Sequence, residues 1–143
     1  MAEKGGFLIT RIKQVGGRVF ERILSERNID AFNGSQGRIL YILWQRNGIP
    51  IRELSRETGL AMTSLTSMLD RMESAGLIKR DRGDKDRRKV LIYLTDKARE
   101  LEQDYNEVAD KMGSIYYKGF TEEEIVQFEN YLERVLVNVE SEV

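Results

Sequence analysis

Hydroxyl and guanidinium side chains are grouped on one side of a helix predicted from about Met62 to Ala75. Leu65, Leu69 and Met72 follow helical spacing and predict its buried side, which turns the polar set outward. Such groups can donate hydrogen bonds to phosphate oxygens or base edges, and small hydroxyls permit close approach. From these residues alone, a helical hairpin inside a bundle, with solvated hydroxyls, is an equal alternative. The outward-facing set is Thr63, Ser64, Ser67 and Arg71.

A charged run follows this helix, from Asp81 to Lys89, and holds five basic and three acidic residues around Gly83. Arginine suits a narrow DNA minor groove because its planar charge is attracted to the negative potential there. An isolated run of this kind is more often a solvated hairpin with internal ion pairs. Its position directly after two helices joined by a tight turn favours a nucleic-acid contact.

The elements that hold these residues are predicted to be a helix-turn-helix and a β-hairpin. The first helix runs from Ile51 to Thr58, with Pro50 before it and Gly59 after it, where glycine allows a tight turn without a Cβ penalty. Gly76 closes the second helix. The β-branched and apolar content of residues 77–80 and 90–94 predicts two strands. In such a unit the second helix can lie in the major groove of a duplex.

Amphipathic helices are predicted on both sides of this unit. The first runs from Phe7 to Arg27, and the next begins at an Asn33 cap with Gln36 in a capping-box arrangement. After the hairpin, Thr95 is predicted to cap a long helix with a heptad seam. A last helix begins at a capping box and a hydrophobic staple. The box is Thr121 with Glu124, and the staple is Phe120 with Ile125.

The terminal helices carry more apolar residues than one chain of this length is expected to cover. This excess predicts a two-fold dimer, in which two recognition helices lie about 34–36 Å apart, one DNA turn. A pseudo-palindromic operator is then expected. The alternative is a monomer whose N-terminal helix completes the core. The predicted dimerisation residues are Phe7, Ile12, Phe128, Leu132, Leu136 and Val139.

Composition argues against an enzyme. The 143 residues include no cysteine and no histidine, so disulfides, thiol switches, the commonest general base and the commonest metal ligand are absent. Asp81, Asp84 and Asp86 remain, but on a solvated hairpin tip they gain little catalytic power. We expect no cofactor. Because no run approaches the roughly 20 apolar residues of a membrane span and the N-terminus has no secretory h-region, a cytoplasmic location is expected.

The net charge of −1 hides a division along the chain. Residues 1–51 carry +4 and residues 52–89 carry +3, whereas residues 90–143 carry −8. A basic front and an acidic tail suggest that one surface meets polyanions and another avoids them. An ordinary mixed surface is the alternative, which composition alone does not exclude.

The order of these elements resembles the MarR family of bacterial transcription regulators over nearly the whole chain. The resemblance implies a mainly α fold with a small β-hairpin wing, a winged helix-turn-helix that dimerises through its N- and C-terminal helices. It implies one domain over 1–143, with 33–95 as the DNA-binding lobe and 1–30 and 96–143 as the dimerisation region. The motifs are Gln36-Gly37-Arg38-Ile39-Leu40, Leu54 to Thr66, Leu69-Asp70-Arg71-Met72-Glu73, Gly76-Leu77-Ile78, Asp86-Arg87-Arg88 and Leu94-Thr95.

The same resemblance implies roles for individual residues. Thr63, Ser64, Ser67 and Arg71 fall on the recognition helix, in the major groove. Asp86 and Arg88 match the wing motif that steadies the wing and touches the minor groove, and Arg87 is a further, weaker candidate. Two positions depart from the family pattern. Asn33 replaces a usual threonine cap, and Ala61 replaces a frequent serine cap, which forgoes roughly 1 kcal/mol.

The function implied is a sequence-specific double-stranded DNA-binding transcription regulator, a ligand-responsive repressor that binds its operator as a homodimer. Family members commonly respond to small aromatic or phenolic acids. Tyr41 and Trp44 lie on the helix before the recognition pair, but aromatic residues at this spacing are more often core than ligand site. A second function class stays open, a winged-helix module for protein partners without a direct DNA role. Weak binding to DNA that does not depend on salt concentration would distinguish this class from a DNA-binding regulator.

Overall fold

The computed structural model describes residues 2–30, 35–82 and 89–143. These residues are mostly helical, with three short strands, and they form two compact units that divide between Val108 and Ala109. None of the helices in these ranges is long and apolar enough to span a membrane. The elements are α1 (Gly5–Glu26), α2 (Gln36–Gln45), β1 (Ile49–Pro50), α3 (Ile51–Thr58), α4 (Met62–Ser74), β2 (Ile78–Arg82), β3 (Val90–Leu94), α5 (Asp96–Glu100), α6 (Glu102–Tyr116) and α7 (Glu122–Glu140).

The core of the first unit is aliphatic and lies among the C-terminal end of α1, the helices α2, α3 and α4, and the sheet. Leu65, Leu69 and Met72 of α4 are completely buried, which confirms the side of this helix predicted to face inward. Burying a large aliphatic side chain stabilises a fold by about 1.5–3 kcal/mol, so this set fixes the rotation of α4 about its own axis. The other fully buried large residues are Ile23, Leu24, Ile39, Leu40, Leu43, Leu54, Ile78 and Ile92.

A three-stranded antiparallel sheet with the order β1-β3-β2 carries the wing. The β2–β3 hairpin was predicted, whereas β1 was not. It is two residues long, and Ile49 pairs with Ile92 on β3. Gly48 precedes β1 with φ of 77°, and a Cβ at this position would lie 2.6 Å from Cε1 of Tyr93. Only glycine fits this approach without displacing the ring.

Two helix boundaries differ from the prediction. Helix α2 begins at Gln36 after Ser35, and the Ser35 side chain makes no capping hydrogen bond. Gln36 is therefore the first residue of the helix and not the third residue of a capping box, while Asn33 lies outside the described residues. The long helix after Thr95 is interrupted, because the N–H of Leu101 donates to the carbonyl of Ala98, three residues back, and ends α5. The Thr95 cap itself is confirmed, since its side chain accepts from the Ala98 N–H at 3.2 Å.

The second unit contains the end of α6 and all of α7. The predicted capping box is present, because the Glu124 N–H donates to the Thr121 hydroxyl and the Thr121 N–H donates to the Glu124 carboxylate. The ring of Phe120 packs against Tyr117 and Phe128, with centroids 5.6 and 6.2 Å apart. These aromatic contacts hold the turn before α7.

Candidate nucleic-acid interface

The turn between α3 and α4 is held by hydrogen bonds from hydroxyl side chains. Gly59 ends α3 in the left-handed conformation, with φ of 73°. The Ser55 hydroxyl donates to the carbonyl of Leu60 at 2.6 Å, and the Thr58 hydroxyl accepts from the Leu60 N–H at 3.3 Å. From α2, Arg38 donates to the carbonyl of Thr58 at 3.0 Å, which satisfies one of the free carbonyls at the end of α3. The start of α4 is thereby fixed relative to α3.

The four polar residues predicted on the recognition helix are all exposed in the structure. At about 100° per residue, their positions fall within an arc of about 100° on α4, opposite the buried leucines. The structure therefore brings these side chains together on one surface, which we call the α4 face. The α4 face comprises Thr63, Ser64, Ser67 and Arg71.

Arg71 has a free guanidinium as far as the described residues show, since no carboxylate among them forms an ion pair with it. Two other hydroxyls of α4 are committed to the backbone of the helix. Thr66 donates to the carbonyl of Met62 at 2.8 Å, and Ser74 donates to the carbonyl of Asp70 at 3.0 Å. The cation on the α4 face is thus the group best able to bind an anion.

The acidic residues of α4 are paired with an arginine of the hairpin. Arg80 on β2 donates from Nη2 to Oδ1 of Asp70, and its Nε lies 4.0 Å from Oε2 of Glu73. This cluster was not predicted from the sequence, because no local pattern links residues ten positions apart in a helix and a strand. A count of charges along the two elements could have suggested it.

The end of α4 is joined to the start of α5. The Thr95 hydroxyl donates to the carbonyl of Gly76 at 2.6 Å, and the Lys97 ammonium donates to the carbonyl of Ala75 at 3.1 Å. A lysine is favourable at this place because the last carbonyls of a helix carry partial negative charge. Both ends of α4 are consequently held by neighbouring elements.

The strands of the wing are described, but its tip is not. Lys79, Arg82 and Lys89 are exposed on the described part of the hairpin, and Arg82 pairs with Val90 in the ladder. The predicted wing residues Asp86, Arg87 and Arg88 lie outside the described residues, so their roles stay predictions. Basic side chains therefore follow the α4 face along the chain into β2 and occur again at Lys89, directly before β3.

Tyr41 and Trp44 take part in an aromatic cluster within the first unit. Their rings lie 5.8 and 5.0 Å from that of Tyr105, and the Trp44 indole N–H donates to the carbonyl of Ala98 at 3.1 Å. Burial, followed by the proximity of Tyr41, raises the pKa of Tyr105 above its usual value. These contacts account for Trp44 as a packing residue. Within the ranges described, no group of three or more acidic, histidine or cysteine side chains is arranged to hold a metal ion.

The residues predicted to form a dimer interface are exposed in the structure. Phe7 is 67% exposed and Ile12 is 48% exposed on α1. Helix α7 has no buried residue, although its apolar side chains recur at heptad spacing. Phe128 differs from the rest, because its ring also packs against the rings of Tyr117 and Phe120. The exposed members on α7 are Phe128, Leu132, Leu136 and Val139.

Comparison with known proteins relates the whole arrangement to one family. A model of the MarR family matches residues 32–90. The HTH-type transcriptional regulator MgrA of Staphylococcus aureus is 30% identical over 98 residues, which are 68% of this chain and 65% of that protein. The chain thus spans slightly less than two thirds of that regulator's length.

Solved structures extend the similarity beyond the matched segment. A MarR variant from E. coli in complex with operator DNA has a TM-score of 0.79, with 26% identity and 92% of both chains covered. A MarR-family regulator from Listeria monocytogenes, in complex with a 26mer DNA, has a TM-score of 0.86 at 20% identity and covers 99% of this chain and 92% of its own, a likeness of fold alone. The described elements occur in the order of a winged helix-turn-helix. The chain belongs to the MarR family.

Proposed function

We propose that this protein is a transcription regulator that binds double-stranded DNA in a sequence-specific manner. The α4 face carries the proposal, because three hydroxyls and a guanidinium that pairs with no described carboxylate lie together on a helix fixed at both ends. Donors of this kind suit phosphate oxygens and base edges in the major groove. The solved MarR variant from E. coli, which is 26% identical, binds operator DNA, and this supports the same partner here.

The regulator is proposed to act as a homodimer. A 19-residue helix without a buried residue, α7, and the exposed apolar residues of α1 are unusual for a soluble monomer. A second copy of the chain would cover both faces, since a two-fold interface places the same patch on each subunit. Two α4 faces would then meet a pseudo-palindromic operator in successive major grooves. Asp86, Arg87 and Arg88 of each wing are proposed to reach the adjacent minor groove.

The regulatory outcome is proposed to be ligand-responsive repression in the cytoplasm. A small aromatic or phenolic acid that binds one arrangement of the dimer better than another shifts the population toward it. If the favoured arrangement changes the separation of the two recognition helices, the operator is released. Family membership supports this part of the proposal, and the chain offers no described residue that identifies the effector.

The proposal is tested by titrating labelled duplex DNA, selected from fragments of the source genome, over a series of salt concentrations. Binding through several phosphate contacts requires that log affinity falls linearly and steeply with log salt. Replacing Arg71 with alanine should weaken binding by roughly tenfold or more, in the range expected for a contact to a base or phosphate. Arg88→Ala should weaken binding similarly and lower the salt slope.

Arg22→Ala is the matched control, because it removes an exposed arginine from α1, where the guanidinium pairs only with Glu26 among the described residues. It should change affinity by less than about twofold, since a long-range charge effect is largely screened at physiological salt. A flat salt response of the unaltered protein would refute DNA binding. The protein-partner module would then be the better description.

A further inference from the structure

A carboxylate that ought to oppose DNA binding lies at the edge of the α4 face. Asp70 follows Thr63 by seven positions, so it points within about 20° of the same direction around the helix. Its side chain is 64% exposed. An unpaired carboxylate in this position would be pressed toward a duplex that carries one negative charge per about 1.7 Å of its axis. Like charges brought together at an interface cost several-fold or more in affinity.

The hairpin supplies a cation to this carboxylate. Arg80 lies on the same side of β2 as the buried Ile78, two residues earlier, and this side faces α4. Its guanidinium bonds to Asp70 and approaches Glu73, so one arginine faces two carboxylates of the helix. The Arg80 side chain is only 25% exposed, and its Nε has no hydrogen-bond partner among the described residues. The Arg80 side chain therefore lies mostly buried between β2 and α4, and only its partner Asp70 is largely exposed.

Fold stability is a weak reason for this arrangement. Ion pairs with an exposed partner contribute about 0–1 kcal/mol, and both carboxylates here are about half exposed or more. The charge of the surface is a stronger reason, because the pairing cancels the negative charge of Asp70 next to Thr63 at the edge of the α4 face. Arg80 achieves this without occupying the α4 face itself.

We infer that Arg80 is a positioning residue for DNA binding, which neutralises Asp70 and so allows the α4 face to approach phosphate groups. The inference rests on the proposed DNA-binding function and deepens it. Arg80 acts through Asp70, so its effect must disappear when Asp70 no longer carries a charge. A direct contact between Arg80 and a phosphate would not depend on Asp70 in this way.

A double-mutant cycle on the full-length protein tests this dependence. Arg80→Gln leaves Asp70 charged and unpaired, and we expect it to weaken binding to the selected duplex by roughly tenfold, as for one repulsive charge at close range. Asp70→Asn alone should bind at least as tightly as the unaltered protein, because no carboxylate at position 70 then faces the phosphates. The double variant Asp70→Asn with Arg80→Gln should return to within about threefold of the unaltered protein.

Arg46→Gln is the matched control for losing a paired arginine, since Arg46 also bonds to two carboxylates, Glu53 and Glu57, at 2.8 and 3.0 Å. It should leave affinity within about twofold. Thermal unfolding of each variant separates loss of folding from loss of binding. If Arg80→Gln does not fold, the affinity of the double variant, compared with that of the unaltered protein, still tests the inference.

A double variant that binds as weakly as Arg80→Gln, or about tenfold below the unaltered protein, would overturn the inference and assign Arg80 a direct phosphate contact. Independent, additive effects of the two substitutions would overturn it as well. Failure of the unaltered protein to bind any duplex is a different result, because it refutes the proposed function before the cycle is measured.

Discussion

Ala61 is the N-cap of α4, and replacing it with serine should stabilise the protein. The Ala61 backbone has φ of −63° and ψ of 148°, in the extended region that a capping residue requires, but it provides no side-chain hydrogen bond. The N–H groups of Met62, Thr63 and Ser64 consequently have no partner within the helix. A serine hydroxyl at position 61 would be placed to accept from the third of these, that of Ser64.

Two other N-caps of the same chain show the backbone geometry that a capping side chain requires. Thr95, with φ of −83° and ψ of 168°, accepts from the N–H three residues later at 3.2 Å. Thr121, with φ of −78° and ψ of 162°, does so at 3.1 Å. Ala61 lies within about 20° of both in each angle, so a new cap should form without rearrangement and contribute about 1 kcal/mol. For a chain of this length, that raises the melting temperature by about 3 °C.

Thermal and urea unfolding of Ala61→Ser at one fixed protein concentration measure this gain, and the concentration must be held because a dimer's melting temperature depends on it. Ala75→Ser is the control, because it makes the same exchange at an exposed position after the last residue of α4, where no free N–H needs a cap. Equal stability of Ala61→Ser and the unaltered protein, or an equal gain in the control, would refute the capping argument.

Three further predictions concern other parts of the chain. Gly48→Ala should lower the free energy of unfolding in urea by about 1–3 kcal/mol, since φ is positive and the added Cβ meets a tyrosine ring. Gly59→Ala should lower it less, because a Cβ at that position would have no described atom within 4 Å. Leu136→Asp should convert the proposed dimer to a monomer in sedimentation experiments, because a carboxylate would be buried in the interface, whereas the polar exchange Gln127→Glu should leave a dimer. Burial and a hydrogen bond to a neighbouring carboxylate raise the pKa of Tyr117 from 10.0 to about 12. The fold favours its neutral form, so Tyr117 contributes stability below pH 10 that is lost toward pH 12, and the difference in stability between the unaltered protein and Tyr117→Phe should shrink over that range.

The sequence predicted most of the elements because their signals are local. Helical spacing of leucines, glycine at helix ends and the Thr121 capping box each depend on residues within one or two turns, and the structure confirms them. The strand β1 carries no such signal. It has two residues, one of them Pro50, and it exists because Ile49 pairs with Ile92 across 43 positions of the chain. Long-range pairing of this kind cannot be read from periodicity.

The candidate site was predictable to a similar extent. The outward direction of Thr63, Ser64 and Ser67 follows from the buried side of the same helix, so one element was sufficient to predict it. The pairing of Arg80 with Asp70 depends on how the hairpin packs against α4, which no pattern within either element specifies. The interruption at Leu101 was missed for the opposite reason, because heptad spacing continues across a break that comes from a single shortened turn.

The Thr95 hydroxyl joins two helices through one oxygen atom. It accepts from the N–H of Ala98 at the start of α5 and donates to the carbonyl of Gly76 just after α4, at 3.2 and 2.6 Å. A displacement of α5 that preserves both bonds is transmitted through Thr95 to the C-terminal end of α4, and a displacement that does not must break at least one of them. Thr95 therefore couples the position of the start of α5 to that of the C-terminal end of α4.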